Sequence, residues 1–277
     1  MPVFCRQLAA GQLCAPKSHS RTYQRYMNFR LLGLLAALGL ASVQVYAADA
    51  ATLVQSALAA EAALDSAHAL ELFLAAEAAR PNDPFILQKI SRQYSDTTAD
   101  TTDVAEKQRR MEQALIYAQR SSALAPDNAE CTLSIAICYG KLGLYADVRT
   151  RIEYAKLVKE SAERAHAQNP DYDWANHVLG RWHYEVAGLG ATKRFLVWLV
   201  FGGLPEASTA KAVAYLQRAV QLAPDNPAHH IELGFAYAAN QQPDLARQEW
   251  QTGLALPSRE KHDANTKMRA RAALAGR

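Results

Sequence analysis

Cysteine is scarce, with four copies in 277 residues, and its placement excludes a disulfide framework. Cys5 and Cys14 fall in an N-terminal leader. Cys131 and Cys138 are seven residues apart on one expected helix, about 10 Å by helical rise, and cannot bridge within it; both read as small core residues. Glycine (13) and proline (11) are sparse while alanine and leucine abound. Helix is therefore the dominant expectation, and no segment reads convincingly as a strand. Catalytic signatures are missing too. There is no G-x-S-x-G, no phosphate-cradling glycine loop and no Cys–His pair with supporting context. His177 and His183 are six apart and His229 and His230 adjacent, so neither pair has the i, i+4 spacing of a zinc site on a helix. His183 reads as core filling. No catalytic residue, metal or cofactor is expected.

Long apolar runs are also lacking. The longest, Leu31 to Val43, is about 13 residues, short of the roughly 20 that span a bilayer. From Met27 the chain reads "MNFRLLGLLAALGLASVQVYAADA", with a basic start at Arg30, an apolar stretch, and small residues suited to cleavage before Ala48. That pattern predicts a secretory signal peptide over residues 27–47, an over-called start for the 26 residues before it, and a secreted, bacterial periplasmic location. An uncleaved anchor is the weaker alternative. Residues 1–48 hold five basic residues and no Asp or Glu, which also fits a mitochondrial or other organellar transit peptide.

Without residues 1–47 the chain keeps 25 basic residues against 27 acidic ones, and its formal net charge moves from +3 to −2. The basic balance belongs to the leader. The remainder has no excess of Lys and Arg with which to hold phosphates, so a nucleic-acid partner is not expected.

What the chain does contain is a repeat. Prolines at 81, 126, 170, 224 and 257 each follow an apolar helix pattern, and most precede Asp or Asn, a stop signal joined to a start signal. Asp83-Pro84 and Asn226-Pro227 put proline at the first helical position, where its missing amide hydrogen costs least. In "IELGFAYAANQQPDLARQEWQTGLALP", Leu233-Gly234, Tyr237, Ala246, Trp250 and Gly253 match the tetratricopeptide spacing of large and small residues. Earlier units carry Leu179-Gly180 with Ala212, Leu216 and Ala219; Ala136, Tyr139 and Gly143 with Ala165; Tyr94, Ala114 and Ser121; and Ala69, Phe73 and Ala76. The fold predicted is an all-α helical-hairpin solenoid of about five units over residues 48–257, with a polar capping helix or tail at 258–277.

The proline spacings are 45, 44, 54 and 33 against a period of about 34. The surplus in the first three units, about 10, 10 and 20 residues, is expected between the two helices of each pair. "SDTTADTTDVAEKQRR" (95–110) reads as a surface loop running into a longer helix. The larger surplus contains the seven-residue apolar run Phe195 to Phe201, read as an extra short helix stopped by Gly202-Gly203. Core packing over the solenoid is the expectation for it; a patch around Trp198 that docks a partner or a membrane surface is the alternative.

"HVLGRWHYEVAGL", then that helix, then "FGGLPEASTAKAVAYLQRAVQLAPDNP" resembles the most distinctive segment of the regulator of microtubule dynamics family, which is built of tetratricopeptide repeats. With "KLVKESAERAHAQNPDYDWANHVLGRW" upstream, the resemblance covers roughly residues 130 to 240. It departs at Gly203-Leu204, where a proline-rich turn is usual. The resemblance implies microtubule and organelle-membrane association for eukaryotic members.

Repeats of this kind line a concave face with the first helix of each pair. Carried onto this chain, the groove positions are Arg92, Ile137, Lys141, Trp174, His177, Arg181, Tyr184 and Phe235. Three cations among aromatics suggest a peptide partner with acidic residues or a free C-terminal carboxylate. The function expected is a non-catalytic protein-interaction scaffold, with a microtubule- or organelle-associated regulator as the alternative and an enzyme accessory subunit third.

Overall fold

A computed structural model of the chain describes residues 49–276; the predicted leader lies outside them. The described residues form five helical hairpins and a closing helix. The pairs are α1 (49–62) with α2 (Ser66–Ala79), α3 (Pro84–Asp96) with α4 (Val104–Leu124), and α5 (Ala129–Leu142) with α6 (Val148–Gln168). Then come α7 (Asp173–Ala187) with α9 (Thr209–Leu222), the short α8 (Gly190–Phe201) between them, α10 (Pro227–Ala239) with α11 (Pro243–Ala255), and finally α12 (Asp263–Leu274).

The same chemistry makes each junction. Arg80, Ala125, Asn169 and Ala223 end their helices with φ between −132° and −146° and ψ between 70° and 95°, since the proline that follows each one excludes helical geometry. At three of these junctions the next helix is then capped by a side chain, while α7 starts after Tyr172 without one. Asp83 Oδ1 accepts from the amide of Phe85 at 2.9 Å, Asn128 from Cys131 at 3.0 Å and Asn226 from Ala228 at 3.0 Å. Each such cap is worth about 1 kcal/mol.

Small residues set how closely the helices of a pair approach. A Cβ on Gly234 of α10 would lie 2.5 Å from the Trp250 ring of α11 and 3.0 Å from the Ala246 carbonyl; one on Gly180 of α7 would lie 2.5 Å from Leu216 Cγ of α9. The core is segmental, as a solenoid requires. Phe73, Ile86 and Ile90 centre one cluster, Met111 and Cys138 the next, Leu133, Leu179 and Trp182 a third, and Leu216, Ile231 and Trp250 the last. Cys131 and Cys138 are buried free thiols; burial pushes that of Cys138 up to about 11. First helices touch one another across pairs, α3 with α5, α5 with α7 and α7 with α10, so they line the inner face.

In the second and third pairs much of the extra length is helix, the longer helix expected after the loop included, since α4 and α6 have 21 residues each against 13 in α11. The surplus residues differ from expectation in two places. The start of the segment read as a surface loop is buried: Ser95, Thr97 and Thr98 are inside. Thr97 and Thr98 sit in a 3₁₀ turn (Thr97–Asp100), whose hydroxyls donate to the carbonyls of Tyr94 and Ser95. The second departure is α8. Gly202 ends it in the left-handed region at φ 73°, and the amides of Gly202 and Gly203 donate to the carbonyls of Trp198 and Val197, as a glycine stop demands. Core packing does not follow, because Trp198, Leu199 and Val200 are 61–64% exposed. The flanking residues Leu189, Leu204 and Ala207 pack on the core, while Trp198, Leu199 and Val200 stay outside it. The side chains of Phe195, Leu196 and Phe201 lie outside the described residues.

Candidate functional site

The inner face encloses a groove of about 500 Å³. Its walls come from α3, α5, α7 and α10, and residues Glu260 to Arg269 lie over it. Arg92, Ile137, Lys141, Trp174, His177 and Arg181 all line it, as the helical register implies. Tyr184 and Phe235 do not line it but brace its wall: the Tyr184 hydroxyl donates to Glu232, and Arg269 sits 4.5 Å over the Phe235 ring. Trp198 is elsewhere, on α8.

The cations of the expected trough are already engaged within the chain, the arginines in ion pairs and Lys141 in hydrogen bonds. Arg92 pairs with Glu260, and with Glu61 and Asp96 at 3.7 Å each. Lys141 Nζ donates to Ser95 Oγ at 2.5 Å and meets His262 Nε2 at 2.8 Å. Burial pulls the Lys141 ammonium down, with nearby Asp96 opposing. The Asp96 carboxyl is held below its ordinary range because His262, Lys141 and Arg92 together outweigh its burial. Arg181 pairs with Glu185 at 2.8 Å and Glu232 at 3.9 Å. Glu232, with its side chain 2% exposed, is the hub of this end, and it also accepts from Arg269 at 2.6 Å. Burial opposes its ionisation, yet Arg181 and Arg269 win and hold it at about 2. Four cations and six carboxylates line the groove, so its net charge is not positive.

Sequence reasoning missed the partners that close these pairs. Glu260, His262 and Arg269 come from the C-terminal segment, more than 100 residues from Arg92 and Lys141 in the chain. Lys261 extends the crossing to Asp100 at 2.8 Å and to the Leu64 carbonyl at 3.1 Å. Its start is fixed locally: buried Asp263 accepts from the amides of Arg259 and Glu260 at 2.7 and 2.9 Å. A polar stretch with no periodicity announces none of this.

A second network also escaped notice. His177 Nδ1 lies 2.9 Å from His229 Nδ1, and His229 Nε2 lies 2.9 Å from Asp173 Oδ2, with the Trp174 ring packed against both imidazoles. Burial, with His229 alongside, pushes His177 down to about 3. No group of three or more side chains among the described residues could hold a metal ion. His183 is buried and stacked on Tyr215. No described helix is long and apolar enough to cross a membrane.

Known proteins match this architecture. The family model for Regulator of microtubule dynamics protein 1-3 matches residues 53–276. Regulator of microtubule dynamics protein 3 of Xenopus laevis is 30% identical over 138 residues, which is 50% of this chain and 30% of the frog protein. Regulator of microtubule dynamics protein 1 of Bos taurus is 30% identical over 146 residues, 52% of this chain and 45% of the bovine protein. The chain thus matches less than half the length of these relatives. Among solved structures, a thermophilic TPR protein of Thermus thermophilus superposes with a TM-score of 0.58 at 21% identity, covering 82% of this chain and 99% of that one.

Proposed function

Because the chain belongs to the Regulator of microtubule dynamics protein 1-3 family, we propose that it is a non-catalytic scaffold that takes a segment of a partner protein into the groove of its inner face. The observation that carries this is the groove itself, about 500 Å³ lined by the first helices of successive repeats. Its wall mixes apolar Ile137, Val178 and Trp174 with hydrogen-bonding side chains, which suits a peptide backbone with anchoring side chains. An acidic or C-terminal carboxylate ligand has one place to go. At Arg92 it would take over the role that Glu260 of the chain's own C-terminal segment now fills, and at Lys141 it would displace His262.

The names of the relatives supply a second reading, a regulator of microtubule dynamics. The secretory reading of residues 27–47 separates the two, since a chain delivered to the bacterial periplasm meets no microtubule. Mass spectrometry of the protein from its own cells gives an N-terminus at Ala48 under the secretory reading and at Met1 or Met27 where the leader is retained. The groove is tested by affinity capture with the intact chain, compared with Ile137→Glu in the groove and Ile116→Glu on exposed α4. A partner lost only by Ile137→Glu supports the proposal; one lost only by Ile116→Glu defeats it.

A further inference from the structure

The polar groups of the groove divide into those already committed to one another and those left over, and the two sets differ in sign. Each lining arginine and lysine has an anionic or hydrogen-bonding partner within the chain. What remains unmatched lies along the first two turns of the inner helices, and it accepts.

Gln88 of α3 donates through Nε2 to Ser134 Oγ at 3.3 Å, and Ser134 spends its one proton on the Glu130 carbonyl at 2.9 Å. That arrangement fixes the amide orientation, since Ser134 can only accept from Gln88. Gln88 Oε1 is then buried with no donor. The Glu130 carboxylate, at the start of α5, lines the same groove with no cation within ion-pair distance among the described residues.

His177 is the third acceptor, and its tautomer follows from the network behind it. The Asp173 carboxyl is held low, since His229 and the start of α7 outweigh its burial, so it stays ionised and can only accept. His229 therefore donates through Nε2 and, when neutral, accepts through Nδ1. Opposite a neutral His229, His177 donates through Nδ1, which leaves its Nε2 as a bare lone pair. That nitrogen has no partner among the described residues, on a side chain only 6% exposed that lines the groove. The His177 imidazole is driven to about 3 by burial and stays neutral at physiological pH. Trp174 and Tyr172 complete the wall with two aromatic rings.

Two neutral acceptors, an unpaired carboxylate and aromatic rings are the complement of a flexible cation that is rich in donors. We propose that Gln88, Glu130, Trp174 and His177 form a subsite for a lysine or arginine side chain of the bound partner. The subsite lies one helical turn from Arg92, the Glu260 contact. It rests on the reading that the groove takes a protein segment and adds the chemistry of one anchoring residue.

The test uses four capped pentapeptides, Leu-Ala-X-Ala-Leu, with X arginine, lysine, norleucine or glutamate. They are titrated into the full chain and followed through its histidine ring resonances, with His177→Gln assigning the His177 signals. Arginine and lysine peptides are expected to move the His177 resonances and to bind about tenfold more tightly than norleucine, the combined effect of one exposed ion pair and one cation–π contact. Glu130→Gln, on an exposed side chain, should cut that preference about threefold and leave melting unchanged. If norleucine or glutamate peptides bind as tightly as arginine, or if binding leaves His177 unmoved, the subsite is refuted while the groove reading stands. If none of the four binds at millimolar concentration, both fall.

Discussion

Glu232→Gln removes the one carboxylate that Arg181, Arg269 and Tyr184 share. The Glu232 side chain is 2% exposed and its carboxyl is held at about 2 instead of its ordinary 4.5. At about 1.4 kcal/mol per tenfold, that preference for the ionised form is worth about 3 kcal/mol at neutral pH. Both arginines are over 40% exposed and can turn to water, so the loss should not reach the upper range for an orphaned buried charge. For a solenoid of this size, about 3 kcal/mol lowers the melting temperature by roughly 6 to 12 °C. The sign of the pH dependence follows. A depressed carboxyl contributes stability that is complete above the unfolded value and is lost as pH falls through the folded one. The gap between wild type and Glu232→Gln should thus be full at pH 7, shrink to roughly half by pH 3 and close near pH 2. Differential scanning calorimetry across that range measures it. A melting gap that does not change between pH 7 and pH 3, or no gap at all, refutes the argument that Arg181 and Arg269 stabilise a buried carboxylate.

His177 titrates with the opposite chemistry but the same direction. Its buried imidazole resists protonation, so stability is unaffected above pH 6.5 and falls as pH drops towards 3, by up to about 5 kcal/mol; in urea titrations His177→Gln should flatten that limb, and an unchanged slope counts against it. Gly234→Ala puts a Cβ 2.5 Å from the Trp250 ring and 3.0 Å from a carbonyl, for a cost of about 1–3 kcal/mol in chemical denaturation; a neutral substitution means that α10 and α11 can separate freely. Trp198→Asp, at a position 61% exposed, should change stability by less than about 0.5 kcal/mol, while a loss of several kcal/mol would place the ring in a core after all.

The hairpins were legible because their signals are local. The junctions at Pro81, Pro126 and Pro224 combine a stop, a turn and an Asp or Asn cap within a few residues, and Leu179-Gly180 and Leu233-Gly234 mark the close approaches directly. The register of the inner helices followed from the same marks, which is why Arg92, Lys141, Trp174, His177 and Arg181 come together. The state of those side chains did not follow. Asp96 and Glu185, four residues on along the same helices, already offer Arg92 and Arg181 local partners, but Glu260 and Glu232 reach them only through a C-terminal segment that crosses the groove and helices from different repeats. The apolar run in α8 misled for a related reason: hydrophobicity implies burial only where a surface is near enough to cover it, and here Leu204 and Ala207 occupy the neighbouring core.

The central claim is that partners enter the groove of the inner face. A photo-crosslinking residue at Ile137, in the groove, and in a second variant at Ile116, on exposed α4, reports which face a partner touches in the cells that make this protein. The account predicts a discrete crosslinked product from position 137, absent from position 116 and lost when Trp174→Asp is added. The same product from position 116 and none from position 137 would contradict it.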